Sequence, residues 1–225
     1  MRFKDVFSII GPAMVGPSSS HTAGAVRLGR IARSLLAAEP QWAEIGLYGS
    51  FADTYRGHGT DLALIGGLLG YDPDDARLVR SAEEAELAGL KVTIKPFHSP
   101  AAHPNTAEIR LGAADAVMTV RGASIGGGNV EIERVNEFDV RFTGSYPTLL
   151  VFHVDRKGMI AEITALLSGS GINIGSMDVD RDGRNGNALT VIEADAALPG
   201  DLLSGIAALP DVQSLRWIQT MEGKP

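Results

Sequence analysis

Between Thr148 and Gln219 the hydrophobic period switches in a fixed order, and that order constrains the fold more than any other feature. Thr148 to Val154 is a β-branched apolar run and predicts a strand. Asp155 to Gly158 turns the chain, and Met159 to Ser168 then carries Ile160, Ile163, Ala165, Leu166 and Leu167 at helical spacing. Gly169 and Gly171 end that helix. Ile172 to Asp180 and Ala188 to Ala194 predict two strands, joined across Arg181 to Gly186 with its Asn-Gly pair. A second helix starts at Leu198-Pro199-Gly200 and runs to about Leu209, and Val212 to Gln219 is a last strand. The order β-α-β-β-α-β within about 75 residues predicts a ferredoxin-like split βαβ unit.

Thr143-Gly144-Ser145-Tyr146-Pro147 reads as a linker in front of that unit, which divides the chain into blocks 1–145 and 147–220. The first block predicts a mixed α/β domain, so the fold class is α/β (α+β). His21 to Leu36 has helical spacing at Val26, Leu28, Ile31, Leu35 and Leu36. Glu44 to Ser50 predicts a short strand. Thr60 to Leu69 predicts a helix with Thr60 as its N-cap, and Ser81 to Ala88 another, capped by Ser81 with Glu84 three residues on. Val92 to Pro96 predicts a strand. Ala107 to Leu111, Ala116 to Arg121, Val130 to Val135 and Val140 to Thr143 predict an antiparallel set.

Composition narrows the function. The 225 residues are 44% hydrophobic and 21% charged, enough to bury a core. A net charge of −7, with no Lys/Arg run longer than two, argues against nucleic acid as a partner. There is no cysteine, hence no disulfide, no cysteine zinc site and no ligand set for an iron–sulfur cluster in this chain. Met1 to Asp5 does not open a signal peptide, and the longest apolar run, Leu62 to Leu69, is too short to span a membrane. The expectation is a soluble, cytoplasmic protein with no membrane partner.

Four segments of the first block combine glycine with small polar residues and histidine. Ser18, Ser19, Ser20, His21 and Thr22 follow Gly16-Pro17 at a helix start, where hydroxyls and free N–H groups suit a carboxylate or phosphate. Helix capping by Ser20 or Thr22 is the competing explanation. In Gly57-His58-Gly59-Thr60-Asp61 a histidine lies open between glycines and could act as a base, or the segment is a turn and cap. His103-Pro104-Asn105-Thr106 could orient a substrate, although Asn and Pro equally suit a turn. Ser124-Ile125-Gly126-Gly127-Gly128-Asn129 could cradle an anion or close a hairpin. No P-loop, dinucleotide fingerprint or nucleophile elbow occurs. His153 lies in a strand and reads as structural. Together the segments supply a base and an anion cradle but no Lewis acid.

These motifs, with Tyr48-Gly49-Ser50-Phe51-Ala52, resemble the β subunit of the two-chain, iron–sulfur-dependent bacterial L-serine dehydratase (L-serine ammonia-lyase) over essentially the whole chain. The second block is similar to an ACT domain. The first also resembles the regulatory, anion-binding domain that precedes the ACT domain in one class of 3-phosphoglycerate dehydrogenase. The resemblance implies a partner α subunit that carries a 4Fe-4S cluster, with L-serine converted to pyruvate and ammonia and no pyridoxal phosphate. It implies that His58 is the base, assisted by His103. It further implies that Ser18, Ser19, Ser20, His21, Thr22, Thr60, Asp61, Asn105, Thr106, Gly126, Gly127 and Gly128 meet the substrate. No metal ligand falls in this chain. In the ACT-like block, the family's effector positions correspond to Arg156, Gly158, Met159, Ile160, Asn173 and Ile174. Dimerisation through that block, with or without an effector, is the further expectation. A free-standing amino-acid or anion sensor is the alternative reading of the same residues.

Overall fold

The computed structural model describes residues 13–219, and the reading of the N-terminus at Met1 to Asp5 lies outside them. The described residues form two compact units that part between Asn136 and Glu137.

The first unit holds β1 to β5 of a six-stranded sheet in the order β2-β1-β3-β4-β5-β6, with helices that pack on it. Its strands are β1 (Trp42–Tyr48), β2 (Lys91–Phe97), β3 (Thr106–Ala113), β4 (Ala116–Gly126) and β5 (Asn129–Val135). Among these, β2 runs parallel to β1, and the remaining neighbours are antiparallel. α1 (Gly24–Leu36) lies over β3, β4 and β5, and its buried stripe contains Val26, Leu28, Ile31 and Leu35. α3 (Thr60–Leu68) is apolar on nearly every side because it is packed between α1 and α4 (Ser81–Leu87). Helix α2 (Ser50–His58) was not expected from the sequence, which extends β1 to Ser50. The chain instead turns at Gly49, where Pro104 crowds the space of a side chain, and Phe51 N donates to Pro104 O at 3.3 Å.

Two expected caps are not made. Gly59, at φ +66°, ends α2 and precedes α3, so Thr60 begins the helix without capping it. The Ser81 hydroxyl donates backward to Leu78 O at 2.9 Å.

The second unit has the expected β-α-β-β-α-β order. β7 (Thr148–Val154), β8 (Ile174–Arg181), β9 (Asn187–Ala194) and β10 (Val212–Ile218) form an antiparallel sheet ordered β10-β7-β9-β8. α5 (Met159–Gly169) and α6 (Gly200–Ala207) cover it, around Leu149, Val151, Ile163, Leu167, Ile192 and Ile206. β6 (Phe138–Phe142) lies next to β5 at the end of the six-stranded sheet, as the expected set has it, and is grouped by its contacts with the second unit. Those contacts include a row of charge-assisted bonds. Asp139 N donates to Asp180 and Arg141 N to Asp178, each at 2.8 Å, and Thr143 N donates to Glu193 at 2.9 Å. No helix among the described residues is long and apolar enough to cross a membrane.

The closest approach in the first unit is between α1 and α3. A Cβ on Gly29 would overlap the Leu64 carbonyl oxygen, and one on Gly67 would overlap the Val26 carbonyl oxygen and lie 2.9 Å from Gly29 Cα. Arg33 Nη1 also donates to Leu68 O at 2.8 Å, tying the two helices together. On an open helix, Gly→Ala stabilises by roughly 0.5–1 kcal/mol. At Gly67 the steric cost of about 1–3 kcal/mol exceeds that gain, so Gly67→Ala lowers stability by about 1–2 kcal/mol in urea unfolding. Gly205→Ala on α6, where a Cβ meets nothing within 4 Å, leaves stability equal or slightly higher.

Candidate functional site

The Ser18–Thr22 segment enters α1 through a single wide π-turn, Ser19–Ala23. The Ser18 hydroxyl caps it by accepting from His21 N at 3.3 Å, and Thr22 N donates to Ser18 O at 2.8 Å. Ser18 is therefore the capping residue, in place of Ser20 or Thr22. Ser19 and Ser20 remain partly exposed. The Thr22 hydroxyl is buried without a hydrogen-bond partner.

A cavity of about 160 Å3 lies beside this turn, with Gly16, Thr22, His58, Leu62, Leu78 and Val79 among the residues on its wall. His58 is the last residue of α2, whereas the sequence suggested the start of a helix. Its Nδ1 is buried with no partner. An unpaired buried polar atom costs about 1–3 kcal/mol. Two such atoms, on Thr22 and His58, belong to residues of one small cavity. That concentration marks it as the candidate site. Its remaining wall is largely apolar.

His21 lies against His58. The two rings are 4.8 Å apart between centroids and tilted by 38°. Phe51 meets His21 edge-on at 5.1 Å, and His21 Nε2 is 3.2 Å from Ser50 Oγ. Burial lowers the pKa of His21, the neighbouring His58 lowers it further, and a hydrogen bond with Ser50 opposes both. Ser50 and Phe51 were given no role from sequence, because 29 positions separate Ser50 from His21 and no local spacing joins them.

The other predicted residues divide. Thr60 is fully buried next to His58 in sequence, with its hydroxyl unpartnered. Asp61 accepts from Leu62 N at 2.9 Å. His103 lies on a different cavity, of about 290 Å3, with Gly49, Asp53 and His98. Its Nδ1 accepts from Asn105 N at 3.1 Å, so the neutral ring carries its hydrogen on Nε2. Thr106 donates to His103 O at 2.8 Å, and Asn105 O accepts from Ser124 N at 3.0 Å. His103–Thr106 is thus a self-bonded turn between Gly49 and Ser124. Gly126, Gly127 and Gly128 all have positive φ and close the β4–β5 hairpin, outside the walls of both cavities.

In the second unit, Gly158 precedes α5 at φ +87°. Arg156 is already engaged, by a two-pronged bond to Glu162 at 2.9 and 2.7 Å and by Asp211 at 2.9 Å. Met159 is in the core, while Ile160 is partly exposed. Asn173 bonds Asp195, and Ile174 begins β8. His153 is buried and bonded to Thr190 Oγ1 at 2.8 Å, a structural placement.

Among the described residues, no group of three His, Asp or Glu side chains is arranged to hold a metal ion, and the sequence has no cysteine. The residues present therefore do not fit a metal cluster as its ligands.

Comparison with known proteins gives two family matches. Residues 3–135 match the serine dehydratase beta chain model and residues 147–211 the ACT domain model. The chain is 43% identical to "Probable L-serine dehydratase, beta chain" of Bacillus subtilis, covering 94% of this chain and 96% of that one. It is 36% identical to "L-serine dehydratase, beta chain" of Peptoniphilus asaccharolyticus, covering 95% and 97%. It is 27% identical to D-3-phosphoglycerate dehydrogenase of Synechocystis over 74% of this chain, which is 30% of that protein.

The His21–His58 pair predicts a titration. In histidine NMR, His21 titrates below the usual histidine range, and His58→Gln moves its midpoint part of the way back up. Because the folded chain binds this proton more weakly than the unfolded chain, His21 makes stability fall as pH drops below that range. An unchanged His21 midpoint in His58→Gln would contradict the electrostatic coupling.

Proposed function

The chain belongs to the L-serine dehydratase β-chain family, with a C-terminal ACT domain, and from that membership we propose that it completes the active site of an α subunit that bears a 4Fe-4S cluster. The reaction is the conversion of L-serine to pyruvate and ammonia. The observation that carries this reading is the cavity whose wall holds both His58 and Thr22.

Within this reading His58 is the general base. It takes the α-proton on an imidazole nitrogen, and the electron pair of the broken C–H bond becomes the Cα–Cβ double bond as the Cβ–O bond breaks; the hydroxide released takes up that proton from the imidazolium and departs as water. Aminoacrylate then tautomerises to the imine, which water hydrolyses to pyruvate and ammonia. An α-proton of an amino acid is weakly acidic, so a placed base needs charge stabilisation beside it. The Ser18–Thr22 turn serves the carboxylate or amino group with hydroxyls and with N–H groups at a helix start. Assistance to the departing hydroxyl belongs to the partner chain, since this chain has no cysteine to ligate a cluster. His103 and Asn105 orient by supporting the start of α2, where Pro104 meets Gly49 and Phe51. The ACT domain pairs two copies of the chain, supported by the exposed Met177 and Val179 on the edge strand β8.

Mixing the chain with its cysteine-bearing partner under anaerobic conditions should yield pyruvate from L-serine. His58→Ala in the mixture should lower kcat by about 10²–10⁴-fold. Full activity of that variant would refute the role of His58, and no activity of the wild-type mixture would refute the two-chain reading.

A further inference from the structure

His21 is one layer behind the cavity. The wall carries His58 and Thr22 but not His21. What His21 touches is protein: the His58 ring at 4.8 Å, the Phe51 edge at 5.1 Å, and Ser50 Oγ at 3.2 Å from Nε2. Resting on the reading of His58 as the base, we propose that Ser50 and His21 are a positioning pair for it. Ser50 holds the His21 ring, and the face of that ring supports the His58 imidazolium formed when the α-proton is taken. This replaces the expectation that His21 meets the substrate.

Three observations support the assignment. First, Ser50 is itself anchored. It begins α2 directly after Gly49, where Pro104 closes on the backbone, and its carbonyl accepts from Thr54 Oγ1 at 2.7 Å. A fixed hydroxyl fixes the imidazole that it bonds. Second, two adjacent imidazoles cannot both be charged without repulsion, and burial disfavours charge on His21. When His58 takes the α-proton, His21 therefore stays neutral, with its ring beside the cation at 4.8 Å. Third, Phe51 packs against His21 edge-on, which leaves the ring little room to swing toward the cavity.

The test uses the reconstituted two-chain enzyme and reads kcat and KM for L-serine separately. His21→Leu, which removes the aromatic face, should lower kcat about 3- to 30-fold with KM little changed. His21→Phe, which keeps a face, should retain more activity than His21→Leu. Ser50→Ala should lower kcat, and Ser50→Thr, which restores the hydroxyl, should recover most of it. A raised KM at unchanged kcat in His21→Leu would overturn the proposal, because it would mean that His21 binds substrate. Equal loss in Ser50→Ala and Ser50→Thr would also overturn it. If His21→Leu does not fold by circular dichroism, the two Ser50 variants, which leave the ring in place, decide the question. Failure of the underlying reading is separately visible as full activity in His58→Ala.

Discussion

The contact of α1 with α3 at Gly29 and Gly67 is the constraint on which the first unit depends. With any larger residue at either position the backbones move apart, because each absent Cβ would collide with the other helix's backbone. The same pair of helices holds the cavity walls, with Thr22 just before α1 and Leu62 in α3. A displacement of the kind that overpacking causes would therefore open the cavity as well as the core. Gly29 and Gly67 thus hold the cavity's surroundings in place without lining it.

Stability and function pull in opposite directions around that cavity. The first unit buries Thr22, His58 and Thr60 polar atoms with no partner, at a cost that a protein selected for stability alone would avoid. His21 adds to this cost, since burial beside a second imidazole works against its protonation. In the second unit polar groups are paired: Arg156 with Glu162 and Asp211, His153 with Thr190. Thr22 and His58 are the residues with a buried, unpartnered polar atom that share one cavity wall.

Much of the fold was legible because it rests on short-range periodicity. The second unit follows the expected order element by element, since each strand and helix is bounded by its own glycine, proline or Asn-Gly signal. What escaped was determined at longer range. α2 is a helix because Gly49 turns against Pro104, a contact across the sequence that no window around Ser50 reveals. The bonds that Asp178, Asp180 and Glu193 accept from the backbone of residues 139–143 likewise come from far along the chain. Thr60 and Ser81 looked like caps, yet left-handed Gly59 and Arg80 occupy the cap positions and the Ser81 hydroxyl is spent on the Leu78 carbonyl. At the site, His58 and Thr22 were visible as residue types in glycine-rich context and lie on one cavity.

By itself, the sequence determined which reactive groups the chain offers. A chain with histidines, hydroxyls and flexible glycines but no cysteine can hold and deprotonate a small acid, and cannot ligate an iron–sulfur cluster. Tertiary structure alone decided which histidine has which surroundings. Packing placed His58 on the cavity, His21 behind it against Ser50, and His103 in a separate pocket. The physical reason is that a residue's type states what it can do with a proton, while burial, neighbours and geometry decide whether it meets one.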